Sequence, residues 1–376
     1  MARLTDPQRL AWLRLIRTDN VGSRTFHNLL DHFGSAEAAI EAWPDLVSKG
    51  GGQGKRLCSV EDAEREIAGL ERLGAQLIAL GEPDYPSVLA ESDGAPPLLT
   101  VLGGTACFER PIISIVGARN ASAAGRSFAA KLAADLGRAG FAIASGLARG
   151  IDTAAHEASL ATGTIAVLAG GPDRIYPAEN APLLQRILKD GAAVTEMPLG
   201  WEPRAKDFPR RNRIIAGLAR GVVVVEAALR SGSLITARLA NELGREVMAA
   251  PGSPLDVRCE GSNALLRDGA TLITSADHVI EALGASLAPQ GKPASHYKER
   301  GPIIIKESGG APAADDGLRA LVLELLGPSP AGIDDIVRLS GAPARTVQLV
   351  LLELEMAGRL ERHLGGRISL IGEPTY

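Results

Sequence analysis

The sequence predicts an α/β protein: a parallel sheet covered by helices on both faces, with a helical unit before it and a small helix-and-hairpin unit after it. Three observations predict this. Between residues 111 and 283, short apolar runs alternate with Ala-rich stretches of helical length. The runs carry little internal polarity, as strands buried on both faces do. Apolar residues make up 45% of the chain but aromatics only 3%, so the core must be Ala, Val, Leu and Ile.

The central elements follow in order. Strands are expected over 111–116, 141–144, 164–169, 192–195, 221–225, 246–249 and 271–273, with helices between them, among them 123–138, 151–161, 180–189 and 233–243. Apolar strands joined through helices require crossover connections and hence a parallel sheet. Ligands of such sheets bind beyond the carboxyl ends of the strands.

Those ends hold the unusual residues. The first strand runs into Gly117-Ala118-Arg119-Asn120, and the second into Ser145-Gly146-Leu147-Ala148-Arg149-Gly150-Ile151-Asp152. The strand at 221–225 runs into Glu226 and then Ser231-Gly232-Ser233, and the next into Pro251-Gly252-Ser253. Glycines let a backbone approach a ligand, and hydroxyl and N–H groups donate to it. Ahead of the strand at 221–225 lies Lys206, then Phe208-Pro209-Arg210-Arg211-Asn212-Arg213, turning apolar from Ile214 to Leu218. This reads as a helix whose first turn presents guanidiniums and free N–H groups to an anion, or as an arginine-rich solvated turn. Residues 201–245 carry nine Lys/Arg against four Asp/Glu, whereas the whole chain has a net charge of −4. A basic site in a mildly acidic protein indicates a localised anion contact. Together these loops predict a phosphate-lined groove containing Gly117, Arg119, Ser145, Gly146, Arg149, Lys206, Phe208, Arg210, Arg211, Asn212, Arg213, Ser231, Gly232 and Ser233.

Several of these residues admit two readings. Arg119 is either a phosphate contact or the salt-bridge partner of Asp152 or Glu226. Arg211 and Arg213 cannot both face the groove from one helix start. Because aromatics are scarce, Trp201, Phe208 and Tyr176 stand out, and Phe208 is either a stacking platform for a base or a core residue. Asp152 and His156, four apart, share a helix face. They suggest a metal pair or acid–base couple, or a helix-start Asp beside a structurally bonded His. No third ligand is spaced nearby, and no metal or other cofactor is expected. Ser145 lacks the glycine two residues before it that a nucleophile elbow needs, so it reads as a phosphate donor or a turn residue. No Gly-x-Gly-x-x-Gly follows the first strand, and no Gly-Lys-Ser/Thr phosphate loop occurs.

The flanks are less specific. Residues 1–80 show helical periodicity broken at Val21-Gly22-Ser23, Gly34 and Gly50-Gly51-Gly52. This fits a helix–hairpin–helix backbone-binding unit or any small helical domain. Residues 81–110 are rich in Pro and Gly and read as a strap leading into a central domain at 81–283. Residues 284–316 read as a linker, with Ile303-Ile304-Ile305 as a stray strand. Residues 317–376 follow a winged helix–turn–helix layout: helices at 317–326, 333–339 and 344–357, then a hairpin around Gly365-Gly366. The segment at the recognition-helix position has Arg345 against Glu353 and Glu355, which suits a protein contact better than the major groove. Cys58, Cys107 and Cys259 have no paired spacing. No apolar run reaches membrane-span length and no signal peptide is visible, so a reduced cytoplasm is expected.

The central motifs resemble the DNA-processing protein A family (DprA, also called Smf). The resemblance is carried by Tyr85-Pro86, Ile115-Val116-Gly117-Ala118-Arg119, Ser145 through His156, Tyr176-Pro177, Phe208 through Gly217, Val224-Val225-Glu226-Ala227, Ser231 through Ala237, and Pro251-Gly252. It implies an extended Rossmann-like domain flanked by an N-terminal helical domain of the SAM or helix–hairpin–helix kind and a C-terminal winged helix. It also implies sequence-independent binding of single-stranded DNA, protection of incoming DNA and loading of the RecA recombinase onto it during natural transformation and homologous recombination, a homodimer through the Rossmann-like domain, and no catalysis. Ala118 stands where many relatives have Ser or Thr. The competing reading is a nucleotide-processing enzyme, such as a nucleoside-monophosphate hydrolase, with Glu196 or Glu226 as general base. The Pro-Gly-Gly-x-Gly-Thr signature of such enzymes is absent.

Overall fold

A computed structural model describes residues 3–51, 56–284, 314–363 and 367–371. Four helices open the chain: α1 (Asp6–Arg17), α2 (Ser23–Phe33), α3 (Ala36–Glu41) and α4 (Trp43–Lys49). Then come α5 (Val60–Arg72), β1 (Gln76–Ala79), α6 (Ser87–Ala90), β2 (Leu98–Gly103), β3 (Ile112–Gly117), α7 (Ala123–Arg138), β4 (Ala142–Ser145), α8 (Ile151–Ala158), β5 (Thr164–Val167), α9 (Ala181–Asp190) and β6 (Ala192–Thr195). The central part ends with α10 (Asp207–Leu218), β7 (Gly221–Val225), α11 (Gly232–Glu242), β8 (Glu246–Ala249), α12 (Glu260–Arg267), β9 (Thr271–Leu272) and α13 (Ala276–Leu283). The last elements are α14 (Asp316–Leu325), β10 (Ala331–Gly332), α15 (Ile333–Ser340), α16 (Ala344–Met356), β11 (Leu360–His363) and β12 (Arg367–Leu370). The chain forms two compact units, one of Met1–Arg3 with Arg65–His296 and one of Leu4–Glu64 with Tyr297–Tyr376.

The sheet unit has nine strands in the order β1-β2-β6-β5-β4-β3-β7-β8-β9. From β6 to β9 every pairing is parallel, as the crossover argument requires. β2 runs antiparallel to β6, and β1 antiparallel to β2. Neither strand is expected from the sequence. β1 has four residues directly behind a helix, and β2 lies within the Pro/Gly-rich strap, so both are too short to show their own alternation.

The chain builds outward from β3 through β4 and β5 to β6, then returns to lay β7 on the other side of β3. Right-handed crossovers running in opposite directions place their helices on opposite faces. Ile113, Ile115, Ile143, Val223 and Val225 accordingly pack with residues of α7, α8 and α13. Ile112, Val116, Ala142, Val222 and Val224 pack with Ile214, Ile215 and Leu218 of α10 and with Ala237 and Ala240 of α11. The reversal makes the carboxyl ends of β3 and β7 the topological switch point, the place where such sheets take ligands.

The second unit joins the N-terminal helices to the C-terminal winged helix. α14, α15, α16 and the three-stranded sheet β10-β12-β11 enclose Val322, Ile336, Val347, Val350, Leu351, Leu354, Leu360 and Ile368. α16 has a second apolar face. Its Leu352 and Met356, one turn apart, pack into the core of Leu15, Phe26, Leu29, Trp43 and Leu46 from the N-terminal helices. Both carboxylates of α16 are also used internally. Glu353 accepts from Arg319 Nε at 2.8 Å and Nη2 at 3.0 Å. Glu355 accepts from Thr25 Oγ1 at 2.7 Å and from Arg362 Nε at 3.0 Å. A helix apolar on two faces is a buried helix. Gly52, Ile303-Ile304-Ile305 and Gly365-Gly366, and most of the expected linker, lie outside the described residues.

Candidate functional site

α10 starts at the surface beside the switch point. Asp207, its first residue, is buried, and its carboxylate accepts from the Arg204 backbone N–H at 2.8 Å and from the Trp201 indole Nε1 at 2.9 Å. The guanidinium of Arg204 lies over the Trp201 ring, 4.8 Å from its centroid. One residue into the helix, Phe208 meets Tyr176 edge-on with centroids 5.3 Å apart. Arg119, from the loop after β3, lies over Phe208 at 5.1 Å. Arg119, Arg204 and Lys206 are exposed and form no ion pair among the described residues. The surface thus combines flat rings, uncompensated cations and the positive end of a 12-residue helix.

Behind it lies a buried polar cluster, and several sequence expectations are corrected there. Arg211 does not reach the groove. Its guanidinium is buried and donates from Nη1 to the Val167 carbonyl at 3.0 Å, with Nε unpaired. Gly146 makes room for it, since a Cβ there would sit 1.7 Å from Nη1. Burial pushes the Arg211 pKa down to about 10, the Asp152 charge opposing and the Arg119 charge adding. Asp152 is buried too, and its carboxylate accepts from the N–H of Gly146 at 3.1 Å and of Ala148 at 3.2 Å. Burial raises its pKa despite the Arg211 charge and these bonds. His156 is fully buried, with Nδ1 bonded to Thr164 Oγ1 at 2.8 Å and Nε2 unpaired. Desolvation, followed by the Arg211 charge, holds its pKa down to about 3, so the ring is neutral. Ser145 is buried and donates its hydroxyl to the Ile115 carbonyl at 2.6 Å, tying β4 to β3 rather than facing a ligand. Gly117 is a packing glycine: a Cβ there would lie 1.9 Å from the Val225 carbonyl oxygen.

The remaining expected residues divide between ion pairs and caps. Glu196, buried at the end of β6, accepts from Arg210 Nε at 2.9 Å and from Arg213 Nη2. Arg213 also donates to the Gly94 carbonyl at 2.6 Å. Arg149 is exposed but paired with Glu179 at 2.5 and 2.7 Å. Asn212 is buried and donates to the Gly232 carbonyl at 3.1 Å. Ser231 caps α11 and its hydroxyl bonds that of buried Ser233 at 2.6 Å, while Gly232 is exposed. Glu226 is not available to Arg119, because its carboxylate accepts from the Ser122 N–H at 2.8 Å and from the Ser122 hydroxyl at the start of α7.

Of the expected groove residues, the structure therefore brings Arg119, Lys206 and Phe208 together at the surface without ionic partners. It adds Arg204, Trp201 and Tyr176. The scarcity of aromatics marks the two rings in the sequence, but nothing there separates Arg204 from other loop arginines. Among the described residues no group of three His, Cys, Asp or Glu could hold a metal, and no helix is long and apolar enough to cross a membrane.

Residues 76–284 match the family model of DNA recombination-mediator protein A. Residues 6–69 match the DprA-like N-terminal HHH domain and residues 306–366 the DprA winged helix domain. The chain is 32% identical over 394 residues to Protein Smf of Synechocystis, covering 97% of this chain and 99% of that protein. It is 37% identical over 312 residues to Protein Smf of Escherichia coli, covering 82% and 80%. The X-ray structure of DNA processing protein A from Streptococcus pneumoniae superposes with a TM-score of 0.59 at 33% identity, over 74% of this chain and 98% of that one. The structure of DNA processing protein A from Helicobacter pylori, described for its single-stranded DNA binding mode, gives 0.52 at 28% identity over 56% and 96%.

Proposed function

We propose that this chain, which belongs to the DNA recombination-mediator protein A family, binds single-stranded DNA without sequence preference and loads the RecA recombinase onto it in natural transformation and homologous recombination. The observation that carries the reading is the Arg119–Phe208 pair at the switch point, with Lys206, which has no ion pair among the described residues, just ahead of it in the chain. Cations there neutralise phosphates wherever the strand lies, and a ring accepts any base because every base has a π-face. The surface has few rings, so a bound strand keeps most of its bases free. That suits a hand-off: RecA can engage bases while phosphates are still held. A homodimer through the Rossmann-like domain would put two grooves on one strand and raise retention through effective concentration. The setting is the cytoplasm, and no catalytic step is assigned. The hydrolase reading needs Glu196 or Glu226 as base. Glu196 is held by Arg210 and Arg213, and Glu226 by Ser122, so neither carboxylate supports that reading.

Two measurements test this. In gel shifts, single strands should bind far more tightly than duplexes of equal length. On strands coated with single-strand binding protein, the chain should speed filament assembly by its cognate RecA. Equal affinity for duplex removes the single-strand reading, and unchanged assembly removes the loader role alone.

A further inference from the structure

The chain has three tryptophans. Trp43 belongs to the core of the N-terminal helices and Trp12 packs against it. Trp201 is the only one in the sheet unit, and it lies in the loop before α10, half-exposed. Its orientation is fixed. The carboxylate of Asp207 takes both its indole N–H and the backbone N–H of Arg204, so one buried group sets the ring and the residue that covers it. The backbone is pinned as well, with the Gly171 N–H donating to the Trp201 carbonyl at 2.9 Å and the Trp201 N–H to the Pro198 carbonyl at 3.2 Å. The ring face carries an exposed guanidinium that has no carboxylate partner among the described residues, the arrangement that Arg119 and Phe208 repeat seven residues later.

We propose that Trp201 and Arg204 form a second base-stacking platform for single-stranded nucleic acid. The proposal rests on the reading that this surface binds such strands. The ligand class is an unpaired nucleobase with its adjoining phosphate. On binding, the Arg204 guanidinium turns from the ring to the phosphate and the base takes the ring face. A ring already immobilised loses little freedom on binding, and a cation without a carboxylate partner has no ion pair to break. With Phe208 in the first turn of α10 and Trp201 ahead of it, the strand is gripped at two bases with Lys206 between them in the chain.

The experiment titrates the full chain with fluorescein-labelled oligothymidylate and with an abasic strand of equal length, reading anisotropy and tryptophan emission. Oligothymidylate should quench an emission component that is missing in Trp201→Phe, while the abasic strand, held by phosphates alone, should leave it unchanged. Trp201→Leu should weaken oligothymidylate binding by roughly tenfold, and Trp201→Phe, which keeps a ring, should bind nearly as the wild type does. Equal quenching in wild type and Trp201→Phe overturns the platform, as does wild-type affinity in a folded Trp201→Leu. If Trp201→Leu does not fold, the wild-type and Trp201→Phe quenching comparison decides alone. A wild type that binds neither strand removes the platform together with the reading beneath it.

Discussion

α10 and α16 are helices of 12 and 13 residues, and each stands where its fold type commonly meets a ligand, α10 at a sheet switch point and α16 at the recognition-helix position. They are used in opposite ways. α10 buries its later turns, Ile214, Ile215 and Leu218, against the sheet and leaves its first turn at the surface beside Lys206, Phe208 and Arg119. α16 occupies the recognition-helix position of the winged helix yet is buried from Thr346 to Met356 except at Gln348 and Leu349. One face serves its own small core, and Leu352 and Met356 serve the core of the N-terminal helices. The comparison shows that topology nominates a surface, whereas burial and ion pairing decide which side chains remain free on it. Arginine count is no better a guide. Arg211 is as buried as the residues of α16, and Arg210 and Arg213 share one carboxylate.

The largest effect that would sharpen this contrast comes from Arg211→Ala. Removing a buried guanidinium leaves Asp152 without its compensating charge and opens a void behind Gly146. Unfolding in urea should show a loss of about 3–5 kcal/mol. A stable variant that only binds DNA more weakly would return Arg211 to the groove.

Met356→Ala should cost about 2–5 kcal/mol, as a truncation in a well-packed core does. The loss should appear in the unit of N-terminal helices and winged helix, with single-strand affinity unchanged. Weaker DNA binding by a folded variant would mean that this unit contributes to the site.

His156 predicts a pH dependence. Its folded pKa of about 3 lies below the ordinary 6.5. Below pH 6.5 the unfolded chain therefore takes a proton that the folded chain refuses, and stability falls as the pH drops from 6.5 toward 3. The slope from this group is up to about 1.4 kcal/mol per pH unit. In His156→Asn, unfolding curves between pH 7 and 5 should lose that slope; an unchanged slope would mean that the ring protonates freely in the fold.

The smallest effects are the most specific. Arg119→Ala should weaken binding about fivefold for any base sequence and flatten the log–log salt dependence by about 0.7. Arg210→Ala should do less, because its guanidinium is already bonded to the Glu196 carboxylate. Equal losses in the two variants would erase the distinction between paired and unpaired arginines.

Much of the sheet unit was legible in the sequence. The seven parallel strands and the helices between them follow from apolar runs separated by helical stretches, since a strand buried on both faces must be apolar throughout. β1 and β2 were not legible because a few residues at a sheet edge carry too little pattern. The three helices and hairpin strands of the winged helix could be read from periodicity, but the second face of α16 could not. Leu352 and Met356 look like ordinary apolar positions until their partners from the other end of the chain are in place.

The sequence by itself determined the succession of the parallel strands and their helices, the loop with Arg119 at the carboxyl end of β3, and the basic surroundings of Phe208. These are local properties, set by periodicity, turn residues and charge along the chain. Only the tertiary structure decided which of the clustered polar groups face solvent. Gly146 admits Arg211 to the interior, Glu196 pairs with Arg210 and Arg213, and Asp207 holds Trp201 with Arg204 at the surface. Each outcome depends on a partner 3 to 65 positions away, and the cost of burying a charge is settled only once that partner is in place.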